Sequence, residues 1–280
     1  MNTQNVQIFT KFDLTGRTAI VTGGMGLLGA EYVKTLALAG AIVAIFDIQS
    51  KFPQHLLAMI EKGHDIKSFM VDITNQGSVG QGFDELVESV GTPTILINNA
   101  GLDSHPHTSI SQNGPFGTYS EETWDAVIDS HLKGAFLMSR EFFRWFMLSH
   151  QSRGSIINIS STYGLVSPDQ SVYEYRRKRG EDFFKPVAYS VAKAGMIGFT
   201  KWLAEYGGPM GIRVNALVPG GVLANQGLEQ EFIEQYVKRT MLKRMALPSD
   251  YNEAILFLAS DASAYMTGAN LVVDGGWTAR

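Results

Sequence analysis

The stretch Thr18-Ala-Ile-Val-Thr-Gly-Gly-Met-Gly-Leu-Leu-Gly29 sets the architecture of the chain. Its first five residues form the β-branched, apolar run that is typical of a buried strand, and four glycines follow within the next seven positions. Residues 30–39 have helical character, Gly40 ends that helix, and residues 41–46 predict a second buried strand that ends at Asp47. Strand, glycine turn, helix, strand and acid is the order that a dinucleotide-binding βαβ unit requires.

This unit predicts how a dinucleotide would be held. Glycines let the backbone approach a pyrophosphate, and the amino end of the following helix stabilises its negative charge. Asp47 is placed to accept hydrogen bonds from the adenosine ribose hydroxyls, and the alternative is that it is only a turn residue at a strand end. Because its carboxylate would repel a 2′-phosphate, we expect NAD to be preferred over NADP. Lys51 is the nearby cation that could rescue NADP binding.

Helical and strand-like segments continue to alternate along the chain. Strands are expected at residues 66–71, 94–98, 155–161, 212–218 and 270–274, and helices at residues 53–62, 76–90, 121–150, 186–206, 228–241 (a helix pair) and 250–260. This order predicts a single α/β domain, a doubly wound parallel sheet of the Rossmann type. We expect an N-terminal extension over residues 1–12 and a dinucleotide-binding catalytic domain over residues 13–280.

Composition excludes several classes of protein. The 280 residues are 45% hydrophobic and 18% charged with a net charge of −4, which gives no basis for a nucleic-acid partner. Without cysteine, disulfides, thiolate nucleophiles and cysteine-based zinc sites are excluded. His105 and His107 lack a clear third ligand, so no metal is expected. No run approaches the length of a membrane span, and we expect a cytoplasmic enzyme acting on a small molecule.

A second motif, Tyr189-Ser-Val-Ala-Lys193, carries candidate chemistry. Residues four apart on a helix share one face, so the Tyr189 phenol and the Lys193 ammonium can point into one cleft. A nearby cation favours the phenolate and lowers the pKa of a tyrosine toward neutral pH. Ser161 would hydrogen-bond the substrate oxygen. By itself such a pair is more often an exposed helix pair, and its position after the glycine turn gives it weight.

Four motifs follow one another in order along the chain: the glycine turn, Asn98-Asn-Ala-Gly101, Ser160-Ser161 and Tyr189-x-x-x-Lys193. Together they resemble the short-chain dehydrogenase/reductase family, and the resemblance extends from about Asp13 to the C-terminus. The resemblance implies an NAD(H)-dependent oxidoreductase that interconverts a secondary alcohol and a ketone. It implies that Tyr189 is the general acid/base, that Lys193 lowers its pKa and holds the nicotinamide ribose, and that Ser161 orients the substrate. The implied cofactor contacts are Gly23, Met25, Gly26, Leu28, Gly29, Asp47, Asp72, Ile73, Asn99, Ala100, Gly101, Tyr189, Lys193, Pro219, Gly220 and Val222.

Three positions depart from the family pattern. The turn reads Thr-Gly-x-x-Gly-x-x-Gly, where most members have Thr-Gly-x-x-x-Gly-x-Gly. His131 stands where an asparagine usually completes a proton relay, and it is either a relay residue or a packed helix histidine. Ala224 replaces a common threonine. These departures keep open a non-catalytic dinucleotide-binding sensor or structural protein, and the runner-up among enzymes is a 3-oxoacyl-thioester reductase using NADPH.

An insertion over residues 166–185 separates Ser161 from Tyr189. It combines aromatic residues with the basic run Arg176-Arg-Lys-Arg179, which would suit an anionic substrate such as an acidic or nucleotide-linked sugar. The alternative is a solvated face or a contact between subunits. The resemblance also suggests a homo-oligomer, most simply a tetramer, and the expected helix over residues 121–150 is apolar nearly all round, which a monomer surface would not tolerate.

Overall fold

A computed structural model describes residues 9–102, 109, 113–224 and 227–279, and these form an α/β domain. The strands are β1 (Thr18–Thr22), β2 (Ile42–Asp47), β3 (Ile66–Met70), β4 (Ile95–Asn98), β5 (Gly154–Ile159), β6 (Ile212–Pro219) and β7 (Asn270–Val273). The helices are α1 (Leu27–Leu38), α2 (Gln54–Glu61), α3 (Gln76–Val90), α4 (Glu121–Ile128), α5 (Gly134–Leu148), α6 (Glu174–Lys178), α7 (Val187–Gly207), α8 (Gln230–Arg239) and α9 (Asn252–Ala259).

The described strands form one seven-stranded parallel sheet in the order β3-β2-β1-β4-β5-β6-β7. Successive side chains of a strand point to opposite faces, and each face has its own apolar core. Ala19 and Val21 of β1 pack with residues of α1, α2 and α9, whereas Ile20 packs with residues of α3, α5 and α7. Helices therefore cover both faces, and the predicted doubly wound parallel sheet is confirmed.

The strand order reverses between β1 and β4, since the chain returns from the β3 edge to pair β4 with the other side of β1. In open parallel sheets a crevice forms at such a point, outside the carboxyl ends of the two strands. β1 ends at the glycine turn, and β4 ends at Asn98. The topology thus brings the glycine turn after β1 and the Asn98-Asn-Ala-Gly101 motif after β4 to the same edge of the sheet, although the two motifs are far apart in the sequence.

The helix expected over residues 121–150 is present as a continuous helical stretch from Glu121 to Leu148, which includes α4 and α5. The sequence did not predict the π-helical turn at Asp129–Lys133 within it, which widens the helix by one residue around His131. Turns of this kind occur mostly as single insertions in α-helices, frequently at functional sites. Similarly, the expected pair of helices over residues 228–241 is a single described helix, α8.

The apolar surface expected of that helix is largely internal. Leu137, Met138, Phe142 and Phe146 are buried in the core that covers one face of the sheet. They are apolar because they pack under the sheet, so their number gives no argument for a second subunit. Phe136 and Met147 on α5, and Trp202 and Tyr206 on α7, remain exposed.

Among the described residues, no helix has the length and apolar character needed to cross a membrane. The division of the chain at residue 12 and the cytoplasmic location stay predictions.

Candidate active site

A cleft of about 880 Å³ lies along the carboxyl ends of β1, β4, β5 and β6. It collects segments that are far apart in the sequence. Its lining includes Gly23, Gly26, Leu28, Gly29, Asp47, Asp72, Ile73, Asn99, Ala100, Gly101, His131, Ser161, Lys185, Tyr189, Lys193, Pro219, Gly220, Val222 and Ala224. Every sequence-predicted site residue except Met25 therefore lines one cleft.

The glycine turn is fastened to the end of β4. The Thr22 hydroxyl accepts hydrogen bonds from the backbone N–H groups of Asn99, at 2.9 Å, and Ala100, at 3.0 Å. The Asn99 amide donates in return to the carbonyls of Thr22, at 2.9 Å, and Gly23, at 3.2 Å. A Cβ at Gly29 would lie 2.1 Å from the Gly23 carbonyl oxygen, so this position accepts only glycine. The unusual glycine spacing therefore forms a closed turn.

The amino end of α1 opens from this turn. Gly26 occupies the N-cap position, and no side chain caps the helix there. The first N–H groups of a helix lack intrahelical partners, and together with the helix dipole they favour an anion. The turn can therefore receive a pyrophosphate on main-chain donors, as a dinucleotide site requires.

Asp47 closes the turn from the side of β2. Its carboxylate is buried and accepts the N–H of Met25 at 2.9 Å and that of Gln49 at 2.9 Å. The Met25 side chain packs in the core, so this residue meets the cleft only through the backbone that Asp47 holds. Ile48 and Gln49, which follow Asp47, also line the cleft. The acid is thus both part of the turn and part of the cleft wall.

The remaining predicted cofactor contacts lie on either side of this turn. Asp72 and Ile73 follow β3, and the Asp72 carboxylate accepts the N–H and the hydroxyl of Thr74. Pro219 ends β6, and the Gly220 carbonyl accepts the Tyr251 hydroxyl at 3.1 Å. A Cβ at Gly220 would lie 2.8 Å from the Asp274 Cα, so the backbone passes close to the end of the last strand. Both segments have fixed conformations.

Ser161, Tyr189 and Lys193 meet in the part of the cleft beyond β5. The Lys193 ammonium is buried, donates to the Ile159 carbonyl at 2.9 Å, and lies 5.6 Å from the centroid of the Tyr189 ring. Ser161 Oγ accepts the Tyr163 N–H at 3.2 Å. A hydroxyl that accepts this bond keeps its own proton to donate to a substrate oxygen. The arrangement can move a proton at a hydroxyl or carbonyl group placed between Ser161 and Tyr189.

His131 lies beside this group, on the π-helical turn. Its Nε2 is 3.1 Å from the Leu102 carbonyl oxygen, and its ring is packed so closely on Gly101 that a Cβ there would lie 2.0 Å from it. Burial, with a further contribution from the Lys193 charge, holds the pKa of His131 well below its usual value of 6.5. The imidazole is therefore neutral, and because a carbonyl only accepts, Nε2 carries the proton.

A second lysine at the cleft was missed at the sequence level. Lys185, the last residue of the insertion, places its Nζ 4.3 Å from the centroid of the Tyr189 ring. It precedes Tyr189 by the same four positions by which Lys193 follows it, and that spacing was the available signal. Lys185 lies just before α7 begins, so helical periodicity gave no reason to place it on the same side.

The basic run of the insertion points away from the cleft. The Arg176 guanidinium pairs with Glu181, and Arg179 pairs with Glu229 and Glu231 next to and in α8. Arg177 donates to the carbonyls of Gln170 and Phe183. Within the insertion only Tyr173 and Lys185 line the cleft. The expectation that these arginines receive an anionic substrate is therefore wrong, and their charges fasten the insertion to the chain itself.

Among the residues that the structure describes, no group of three or more His, Asp or Glu side chains could hold a metal ion. His105 and His107 lie outside the described residues.

Comparison with known proteins gives consistent relatives. A family model described as enoyl-(acyl carrier protein) reductase matches residues 26–278. A probable galactose dehydrogenase of Rhizobium meliloti (strain 1021) is 34% identical over 94% of this chain and 96% of its own. A short-chain dehydrogenase from Leptospira borgpetersenii with bound NAD+ is 33% identical, with a TM-score of 0.82, covering 96% of this chain and 95% of its own. A gluconate 5-dehydrogenase from Burkholderia cenocepacia, in complex with NADP and tartrate, is 27% identical, with a TM-score of 0.82, covering 96% and 98%.

Proposed function

The chain belongs to the short-chain dehydrogenase/reductase family and is an oxidoreductase acting on hydroxyl or keto groups with a nicotinamide dinucleotide, and we propose that it uses NAD(H) to interconvert a secondary alcohol and a ketone of a sugar or polyol. One observation carries the proposal. The glycine turn with its acid, and the Ser161, Tyr189 and Lys193 side chains, line a single cleft. A dinucleotide that lay along this cleft would reach from the turn to the reacting groups.

The residues divide the chemistry in the following way. The bound cofactor supplies or accepts a hydride. Ser161 Oγ donates a hydrogen bond to the substrate oxygen and holds it next to the Tyr189 hydroxyl, and Tyr189 gives or takes the proton at that oxygen. The buried Lys193 ammonium favours the phenolate of Tyr189 and would hold the nicotinamide ribose of a bound cofactor. These roles rest on position and on the chemistry of the groups.

Asp47 supports NAD over NADP. Its carboxylate is fixed by two backbone N–H groups at the end of β2, and the next two residues, Ile48 and Gln49, offer no positive charge. A 2′-phosphate at this place would meet a negative charge in a partly buried setting, where charges are weakly screened. The adenosine ribose hydroxyls would instead donate to the carboxylate.

A small polar substrate is favoured by the far end of the cleft. Tyr163, Tyr173, Phe232 and Tyr236 line it, and they pack against each other and Trp277 as an aromatic cluster. Aromatic faces suit the apolar faces of sugar rings and polyol chains, and Ser161 supplies a hydrogen bond to a hydroxyl. The relative named as a galactose dehydrogenase agrees with this substrate class.

A 3-oxoacyl-thioester reductase using NADPH is the second candidate, because the matching family model carries an acyl-carrier reductase description. An acidic carrier would be met by cations around the mouth of the cleft. Three described cations of the insertion and α8 instead pair with acids of the same chain: Arg179 with Glu229 and Glu231, Lys178 with Glu174, and Arg239 with Asp169, whereas Lys185 lines the cleft itself. These pairs reduce the positive charge offered to an acidic carrier and so favour the first candidate.

We propose further that the chain forms a homo-oligomer, most simply a tetramer. The support is the exposed aromatic pair of α7, in which Trp202 stacks on Tyr206 with centroids 5.4 Å apart while Trp202 remains 64% exposed. Stacked aromatic rings of this size on a helix surface are common in interfaces between subunits.

The test is a substrate panel of aldoses, alditols, aldonates and an acetoacetyl thioester, each assayed for formation or consumption of NADH and NADPH. We expect a hydroxyl substrate to be oxidised with NAD, and Tyr189→Phe to lower that turnover by about 10²- to 10⁴-fold with little change in NADH affinity. Near-unchanged turnover by Tyr189→Phe would overturn the role of Tyr189. A faster reaction of the acetoacetyl thioester with NADPH than of any sugar would support the second candidate.

A further inference from the structure

Tyr236 of α8 lies in the wall of the cleft, within the aromatic cluster at its substrate end. The residue is buried, and its ring stacks on the ring of Trp277, with centroids 4.2 Å apart and ring planes at 16°. Phe232, one turn earlier on α8, packs beside it with centroids 5.8 Å apart. These two aromatic neighbours hold the phenol in one orientation.

Trp277 is itself fixed by the turn that follows β7. The Asp274 carboxylate accepts the two backbone N–H groups that flank Trp277 in the chain, both at 2.8 Å. The Trp277 ring also meets the ring of Tyr163, with centroids 6.4 Å apart, and Tyr163 follows Ser161 by two residues. The stack therefore places Tyr236 near the segment that carries Ser161.

The Tyr236 oxygen accepts a hydrogen bond from the Gly221 N–H, in the segment that follows β6. A Cβ at Gly221 would lie 2.5 Å from the ring carbon that bears the hydroxyl, so a side chain there would displace the phenol. A hydroxyl that accepts this bond still has its own proton to donate, and among the described residues no group accepts it. Burial raises the pKa of Tyr236 above its usual value of 10, so the hydroxyl keeps this proton at neutral pH.

A donor held in this way favours one kind of occupant. Leaving a buried hydroxyl donor without an acceptor costs free energy, and a group that brings an oxygen atom to it removes that cost. A group that is apolar at the same place would exclude water from the phenol and offer no hydrogen bond in return. The fixed Tyr236 hydroxyl therefore discriminates between occupants of the cleft by the presence of an oxygen atom.

We propose that the Tyr236 hydroxyl is a specificity-determining donor that binds a second oxygen of the substrate, apart from the oxygen that Ser161 and Tyr189 hold. This inference rests on the proposed function, since it takes the reacting oxygen to lie between Ser161 and Tyr189. The class of substrate that it selects is a diol or polyol, in which further carbons carry oxygen. A simple secondary alcohol brings no second acceptor and leaves the donor unpaired.

The experiment compares the unmodified chain, Tyr236→Phe and the control Tyr251→Phe. The Tyr251 hydroxyl donates to the Gly220 carbonyl at 3.1 Å, so the control removes a phenol hydrogen bond from the same backbone segment, but Tyr251 does not line the cleft. The probes are butane-2,3-diol and butan-2-ol, which differ by one hydroxyl, each oxidised with NAD. We expect Tyr236→Phe to lower kcat/KM about tenfold for the diol alone, as loss of one hydrogen bond predicts. Tyr251→Phe should leave the ratio between the probes unchanged.

A second measurement needs no turnover. In a Tyr189→Phe background with NAD bound, the diol is titrated while tryptophan fluorescence is followed, and Trp277→Phe identifies the part of the signal that comes from the ring stacked on Tyr236. We expect the diol to bind about tenfold more weakly when Tyr236→Phe is added, with NAD affinity unchanged.

The outcomes separate this inference from the proposed function. Diol binding that depends on Tyr236, without oxidation of either probe, would count against the proposed function alone. Absent diol binding, or equal binding with and without the Tyr236 hydroxyl, would overturn the inference. So would a loss of NAD affinity that lowers the reaction of both probes alike, because Tyr236 would then only support the backbone at Gly221.

Discussion

The imidazole ring of His131 meets the phenol ring of Tyr189 edge to face, with centroids 5.7 Å apart and ring planes at 82°. His131 is buried on the π-helical turn at Asp129–Lys133, between α4 and α5. A neutral histidine offers one donor and one acceptor, and the side-chain amide of the asparagine that the family resemblance implies here likewise offers both kinds of group, with two donor hydrogens and a carbonyl acceptor. With Nε2–H directed at the Leu102 carbonyl, Nδ1 is the acceptor that remains. The substitution therefore keeps the polar character of this position.

His131 makes stability depend on pH in a defined direction. Its pKa is held well below 6.5 in the folded chain, chiefly by burial, whereas in the unfolded chain it is close to 6.5. Below pH 6.5 the unfolded state binds a proton that the native state does not, so the free energy of unfolding falls as pH decreases through this range. One proton gives a slope of at most about 1.4 kcal/mol per pH unit. We expect His131→Asn to remove this component between pH 7 and pH 5, as measured by urea unfolding.

His55→Asn is the matched control for this prediction, since His55 lies exposed on α2. It should show the same pH dependence of unfolding as the unmodified chain. If His131→Asn also leaves the dependence unchanged, the imidazole is not held neutral in the folded state.

Asp47→Asn should weaken the choice between the two cofactors. The amide removes the charge but retains one acceptor oxygen for the Met25 or Gln49 N–H. We expect NADH to bind less tightly and the preference for NADH over NADPH to fall by about tenfold, which corresponds to about 1.4 kcal/mol of lost repulsion. Fluorescence titration with both reduced cofactors measures it. Adding Lys51→Ala tests whether the NADPH binding that is gained uses this cation, and equal binding of both cofactors by the unmodified chain would refute the role of Asp47.

The surface of α7 should carry a subunit contact. Trp202→Glu places a charge where a stacked aromatic pair is 64% and 49% exposed, and burial of an unpaired charge in an interface is costly. We expect light scattering at micromolar concentration to show a smaller species for Trp202→Glu than for the unmodified chain. Leu38→Glu on α1, where the leucine is 62% exposed, is the control and should leave the size unchanged. A stable monomer for the unmodified chain contradicts the oligomer itself.

The sequence allowed the sheet and the cofactor end of the cleft to be predicted because those features depend on local patterns. Buried strands are short apolar runs, and the turn at Gly29 accepts only a residue without Cβ, so each leaves a direct trace in the residue types. The substrate end depends instead on contacts between distant segments. In the sequence, Arg176 and Arg179 belong to a basic cluster with no evident acidic partner. The fold brings Glu229 and Glu231, which lie about fifty residues further along the chain, into ion pairs with them. The π-helical turn has no comparable pattern, because a single inserted residue does not change the apolar periodicity on either side.

The last prediction concerns the junction between the insertion and α8. Glu229, the residue that precedes α8, accepts the Tyr175 hydroxyl and pairs with Arg179 at 3.2 Å, and its side chain is only 20% exposed. On the inner side of this junction, Tyr173 of the insertion stacks on Phe232 of α8, and both rings line the cleft. The insertion and α8 therefore form one cover over the end of the cleft that these rings line.

Glu229→Gln should loosen this cover without affecting the cofactor end. Loss of the charge weakens the hydrogen bond from Tyr175, worth about 1.5–3 kcal/mol because one partner is charged, and the half-exposed ion pair with Arg179, worth about 1 kcal/mol or less. We expect trypsin to cleave after Arg177 or Arg179 about tenfold faster, and the substrate KM to rise while NADH affinity is unchanged. Glu234→Gln, on the exposed side of the same helix, is the control and should match the unmodified chain. A double-mutant cycle with Tyr175→Phe measures the coupling across the junction. The effects of mutations at residues in direct contact are expected to be non-additive. Additive effects would therefore mean that the insertion and α8 open independently.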